Sequence, residues 1–146
     1  MKRRVSVVVG VFAVLCLVPA FATLVSAHHS FAAEFDGTKP VTLKGTITQM
    51  KWVNPHSWLY IDVKGSDGKV VNWALEFGLP QALYRRGWTK KDLPVGQEVT
   101  IQGFLAKDGT PTLNATSVKL VDTGIELFAG SPGTGAPVEP PANNGR

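Results

Sequence analysis

Three histidines, His28, His29 and His56, are the only imidazoles in the chain, and the first two directly follow the small residues Val25-Ser26-Ala27. If the chain is cut after Ala27, His28 becomes the first residue and gains a free α-amine. Amine and imidazole of one residue then chelate a borderline metal ion, and His56, with His29 as a further candidate, adds another nitrogen. Nitrogen donors in a near-planar set suit Cu(II), which heads the affinity order of the divalent first-row ions. The expected metal site is therefore His28, His56 and His29, with copper as the cofactor. The competing reading puts His28 and His29 in a frayed terminus and leaves His56 to decorate the turn beside Pro55.

A second group is aromatic and polar. Trp58 and Tyr60 alternate with Leu59 and Ile61, and Asn72 and Glu76 alternate with Val71, Trp73, Leu75 and Phe77. Residues two apart in a strand share a face, so Trp58, Tyr60, Asn72 and Glu76 form a candidate ligand-binding face. Stacking on Trp58 beside amide groups suits a sugar or another small ring. Trp52, Trp73 and Trp88 are expected instead as plugs of a small core.

Acid–base catalysis finds little support. Glu34, Asp36, Asp62 and Glu76 are the carboxylates nearest these groups, and each is expected as a solvated surface charge. No Gly-rich phosphate loop, Ser-His-Asp elbow or Cys pair occurs. Arg85, Arg86, Lys90 and Lys91 cluster where basic side chains favour a helix end.

These residues need a scaffold, and the chain's first segment is not part of it. Lys2-Arg3-Arg4, an apolar run from Val5 to Val18 broken by Pro19, and the Val25-Ser26-Ala27 site read as a secretory signal covering residues 1–27. The run is short of the roughly 20 apolar residues that a span needs, so no stable membrane span is expected after cleavage, and the mature protein is expected in the periplasm or outside the cell. Cys16, the only Cys, leaves with this segment. Disulfides and thiolate sites are then excluded. Of 15 basic residues, losing three leaves 12 against 11 acidic ones, a net of +1. A chain so balanced has no field to gather a polyanion, and nucleic acid is not an expected partner.

The remaining chain, residues 28–129, is one domain of about a hundred residues, enough to bury a single core. Residues 130–146 are Gly, Pro, Ala and Asn with few large apolar side chains, and are expected as a disordered tail. Alternation marks strands at Val41–Thr48, Ser57–Val63 and Val70–Phe77, with an Asp67-Gly68 hairpin between the last two. Gly45, at an inward position, suggests a bulge or tight bend. Pro80 early and Gly87 late bracket a short helix, and Thr89 to Asp92 caps one further turn. Val99, Ile101 and Leu105 mark a fourth strand, Leu113–Val121 a fifth, and a short strand is expected near Ile125–Phe128. Three strands, a helix and two strands is the order of a mainly β, five-stranded OB-type Greek-key barrel, its one short helix lying between strands 3 and 4. OB barrels bind oligosaccharides or single strands on the strand 2 and 3 face, where Trp58 and Tyr60 lie. The one place where an ordered arm is expected is the terminus. Phe31 and Phe35 are wasted unless they pack on the barrel, and burying both contributes roughly 3 to 6 kcal/mol before ordering costs.

His28-His29-Ser30-Phe31 through Phe35-Asp36, Trp52-Val53-Asn54-Pro55-His56-Ser57-Trp58 and Arg85-Arg86-Gly87-Trp88-Thr89 together resemble a family of exported bacterial proteins, catalogued as domain of unknown function 6152. The resemblance runs to about Val121 and implies export, a small single domain and no assigned activity. The terminal chelate is itself similar to the histidine brace of copper-dependent polysaccharide oxygenases and of some periplasmic copper-binding proteins, although the chain is short for such an oxygenase. The residues thus point to an exported, non-enzymatic barrel that binds a metal ion or small molecule, first copper and second, without metal, a sugar or peptide. A copper-dependent oxygenase ranks third. Mass spectrometry of the exported protein is expected to find His28 as its first residue; a start upstream of His28 removes the amine.

Overall fold

Alternating apolar residues commit most of the domain to strands, and their lengths follow from what each must pair with. The computed structural model describes residues 31–130; the expected signal, His28, His29 and residues 131–146 of the expected tail lie outside the described residues. One helical turn, α1 (Phe31–Glu34), leads into β1 (Phe35–Lys51). There follow β2 (Trp58–Lys64), β3 (Val70–Glu76), helix α2 (Pro80–Arg85), β4 (Glu98–Ala106), β5 (Thr112–Leu120) and β6 (Glu126–Phe128). β1 extends well beyond the alternating segment at both ends because it serves two partners. Its first part pairs with β4 from Phe35 opposite Ala106 to Thr46 opposite Glu98, and its last part pairs with β2. Pro40, which has no amide proton to give a ladder, sits beside the register shift in the β1–β4 pairing.

The strands run in the order β3-β2-β1-β4-β5-β6, and a further pairing of β3 with β5 closes the first five into a barrel. That closing pairing is parallel, with Ala74, Leu75 and Glu76 opposite Thr112, Leu113 and Asn114; the other pairings are antiparallel. This is the OB-type barrel expected from the element order, with β6 added alongside β5.

Inside lie Ile47, Leu59, Ile61, Leu75, Phe77, Val99, Ile101, Leu113, Ala115 and Val118. The helix closes one end with Leu83, and Trp88 packs edge-on to Phe77, its Nε1–H donating to the Phe128 carbonyl at 2.9 Å. Trp52 and Trp73 are half-buried against the same core, as expected of plugs. Two local expectations shift. Val71, assigned to the inward set, is exposed, because β3 projects there with β2 as a hairpin beyond the barrel. The register irregularity falls between Ile47 and Gln49 rather than at Gly45. Gly45 is needed for a different reason: a Cβ there would lie 2.5 Å from the Asp62 carbonyl oxygen of the crossing strand.

Gly103 is tighter still. A Cβ at this position would meet the Asn114 carbonyl oxygen at 2.2 Å and Leu113 Cδ2 at 2.8 Å. Backbone must move to admit it, so Gly103→Ala is expected to cost about 1 to 3 kcal/mol, read as a lowered urea midpoint with an unchanged denaturant slope.

Candidate functional site

His56 is held by the chain on both sides. It follows the turn at Asn54–Pro55, whose peptide bond is cis. It precedes Ser57, whose amide donates to the Gly78 carbonyl at 3.1 Å and whose carbonyl accepts from Phe77 N–H at 2.8 Å. These bonds extend the β2–β3 ladder past its last regular pair and leave the half-buried imidazole over the end of β3. There His56 Nδ1 donates to Glu76 Oε1. The other carboxylate oxygen, Oε2, accepts from Asn114 Nδ2 at 3.4 Å. Glu76 is only 7% exposed and Asn114 3%, which corrects the expectation that Glu76 is a solvated surface charge. It points to the outer face, between the core residues Leu75 and Phe77, and is covered by its neighbours. Asn114 Oδ1 is buried and has no hydrogen-bond partner among the described residues.

The remaining members of the expected ligand face lie on the outside of β2 and β3, but most are already engaged. Asn72 Nδ2 donates to Asp62 Oδ1 at 2.8 Å and to Thr48 Oγ1 at 3.1 Å. Lys51 Nζ lies 4.8 Å from the centre of the Tyr60 ring. Trp58 is half-buried beside Glu76, its partner across the ladder. The face is therefore built as expected in direction, while its polar groups Asn72 and Glu76 are already bonded to neighbouring side chains. Tyr84, which sequence reasoning passed over as a helix former, stacks on Trp52 with ring centres 5.0 Å apart. Its position in α2 gave no pattern by which to pick it out.

The segment from Phe31 to Phe35, called the arm below, also reaches this side of the barrel. Phe31 stacks on Phe35 at 5.7 Å and meets Phe104 edge-on at 5.5 Å. Phe35 and Phe104 are buried in a cluster separate from the barrel interior. Lys107 fastens the same turn, its amide donating to the Glu34 carbonyl at 2.8 Å and its ammonium to the Ala32 carbonyl at 2.5 Å. Just beyond, the hydroxyl and amide of Thr38 hold the Asp36 carboxyl below the usual carboxylate range. Phe104 is paired with Asn114, Asn114 with Glu76, and Glu76 with Trp58. The arm's anchor and the His56–Glu76 pair thus belong to one row across the outer face. Asn114 escaped sequence reasoning because its place opposite Glu76 depends on the parallel β3–β5 closure, which no local pattern encodes, and Phe104 because it joins that row only through the β4–β5 register.

Among the described residues no group of three or more His, Cys, Asp or Glu side chains is arranged to hold a metal ion, and no helix is long and apolar enough to cross a membrane. A depression lined by Pro94, Gln97, Leu120 and Ile125 contains none of the candidate residues. Compared with known proteins, residues 15–114 match the model of a family of unknown function, DUF6152. No curated protein and no solved structure matches the chain.

The arm's anchoring can be measured directly. Phe104→Ala should cost about 3 kcal/mol and raise amide hydrogen exchange in residues 31–35 far more than in Leu59 or Ile101. Equal protection of the arm in both proteins would show that Phe104 does not anchor it.

Proposed function

We propose, from the premise that the chain belongs to this family and receives no activity from it, that the protein is an exported, non-enzymatic binding module carrying a copper ion at its mature N-terminus. The ligands in this reading are the α-amine and imidazole of His28 and the Nε2 of His56, with His29 as a possible extra donor. The signal-like segment ending at Ala27 supports export to the periplasm or beyond.

The observation that carries the reading is the shared outer row. Neighbouring strands lie about 4.8 Å apart, so the two steps from Phe104 through Asn114 to Glu76 cover about 10 Å. Phe31 touches Phe104, and His28 is three residues before Phe31. Three residues of chain extend about 10 Å. The reading requires residues 28–30 to span a length of this order toward the histidine that Glu76 holds, and a fully extended three-residue segment is long enough. An arm anchored at the far end of the barrel would have removed this possibility.

A metal-free sugar- or peptide-binding face is less well supported, because Asn72 is spent on Asp62 and Thr48 and Glu76 on His56. An oxygenase adds the further requirement of turnover, for which no described residue argues.

Isothermal calorimetry tests the reading. Protein beginning at His28 is expected to bind Cu(II) at least about tenfold, or ~1.4 kcal/mol, more tightly than protein with one extra residue before it. His56→Ala should weaken binding as well. Equal affinities for the two starts would overturn the terminal chelate, and an unchanged His56→Ala affinity would remove His56 from the ligand set.

A further inference from the structure

We infer that Glu76 is a positioning residue for His56: it fixes the imidazole in the Nδ1–H tautomer, presents Nε2 outward, and biases the copper site toward Cu(II) over Cu(I). The first part stands on the described residues; the oxidation-state part rests on the proposed copper reading.

The tautomer follows from who can donate. An ionised carboxylate only accepts hydrogen bonds, and both Glu76 oxygens are occupied, Oε1 by His56 Nδ1 and Oε2 by Asn114 Nδ2 at 3.4 Å. Asn114 is itself buried, lying on β5 between the core residues Leu113 and Ala115. A carboxylate braced in this way demands a proton on Nδ1. A neutral imidazole with its proton there carries its free lone pair on Nε2, and only that nitrogen can take a metal ion. Burial makes the demand strong, since a carboxylate 7% exposed has little water to turn to.

The oxidation-state bias follows from charge and donor type. A carboxylate behind a ligating imidazole raises its basicity and places a negative charge near the ion, which favours the dication over the monocation by Coulomb attraction. Soft sulfur donors would oppose this by favouring Cu(I). Met50, the only Met among the described residues, packs against the barrel core instead.

Two variants separate these effects. Glu76→Gln removes the charge and sets an amide nitrogen against the Asn114 donors; Glu76→Asp keeps the charge but withdraws it by one methylene. Nitrogen-15 NMR of metal-free protein should show His56 protonated at Nδ1 in the wild type and a tautomer mixture in both variants. With copper, E76Q should lose about tenfold more in Cu(II) affinity than in Cu(I) affinity, raising the reduction potential by about 59 mV; E76D should raise it less. Should E76Q fail to fold, E76D carries the tautomer test alone. A wild-type tautomer retained in the folded variants, or equal losses for Cu(II) and Cu(I), would overturn the inference. Wild-type protein that shows the Nδ1–H tautomer yet takes up no copper would support the orienting role of Glu76 and overturn the copper reading by itself.

Discussion

The three-residue parallel pairing of β3 with β5 is the contact on which the rest of the molecule depends. It closes the sheet, and a closed sheet leaves few unpaired strand edges for other chains to pair with. It also sets Glu76 directly opposite Asn114. Because paired residues share a face, the same register carries the row onward to Phe104 on β4 and back to Trp58 on β2. Gly103 is part of this constraint. It lies where β4 and β5 come too close for any side chain, next to the register shift between Gln102 and Gly103. The shift places Phe104, rather than its neighbour, on the outer face beside Asn114.

That register creates an electrostatic problem and solves most of it. A carboxylate taken out of water without partners is costly, and Glu76 is nearly covered. The imidazole of His56 and the amide of Asn114 replace the lost water on its two oxygens. The compensation ends one atom short, since Asn114 Oδ1 is buried with no donor among the described residues. Buried polar atoms in folded proteins nearly always find a partner, and this one lies in the row that leads to the anchored arm. Ser57 Oγ, the other buried oxygen in the same condition, belongs to the interior, where a bound water is the ordinary partner.

The barrel was legible because its interior strands alternate with period two and its turns carry Asp67-Gly68, Asp108-Gly109 and the Pro80 to Gly87 bracket. Positive φ at Gly68, Gly87 and Gly109 is the backbone reason those glycines punctuate the chain. The first part of β1 was not legible, because Asp36 to Pro40 does not alternate, and the β4 ladder skips Asp36 to Lys39 between the pairs Phe35–Ala106 and Pro40–Phe104. The candidate site was legible residue by residue and not as an arrangement. His56 and Glu76 stood out by type, but Glu76 looked like a surface charge because its burial comes from Asn114 and His56, residues 38 and 20 positions away along the chain in a closed sheet.

The two apolar clusters of the domain have different consequences. The interior set, including Ile47 and Val118, holds the barrel together, whereas Phe31, Phe35, Phe104 and Ala106 only join residues 31–35 to the outside of β4. Loss of the second cluster would release the arm and leave the barrel closed, so arm attachment is a local equilibrium with its own free energy. A site that takes one ligand from the barrel and others from the arm then forms only while that equilibrium favours docking. A ligand bridging the two would in turn stabilise the docked arm by mass action. The aromatic cluster therefore sets how firmly residues 31–35 are held against β4, independently of the barrel's closure.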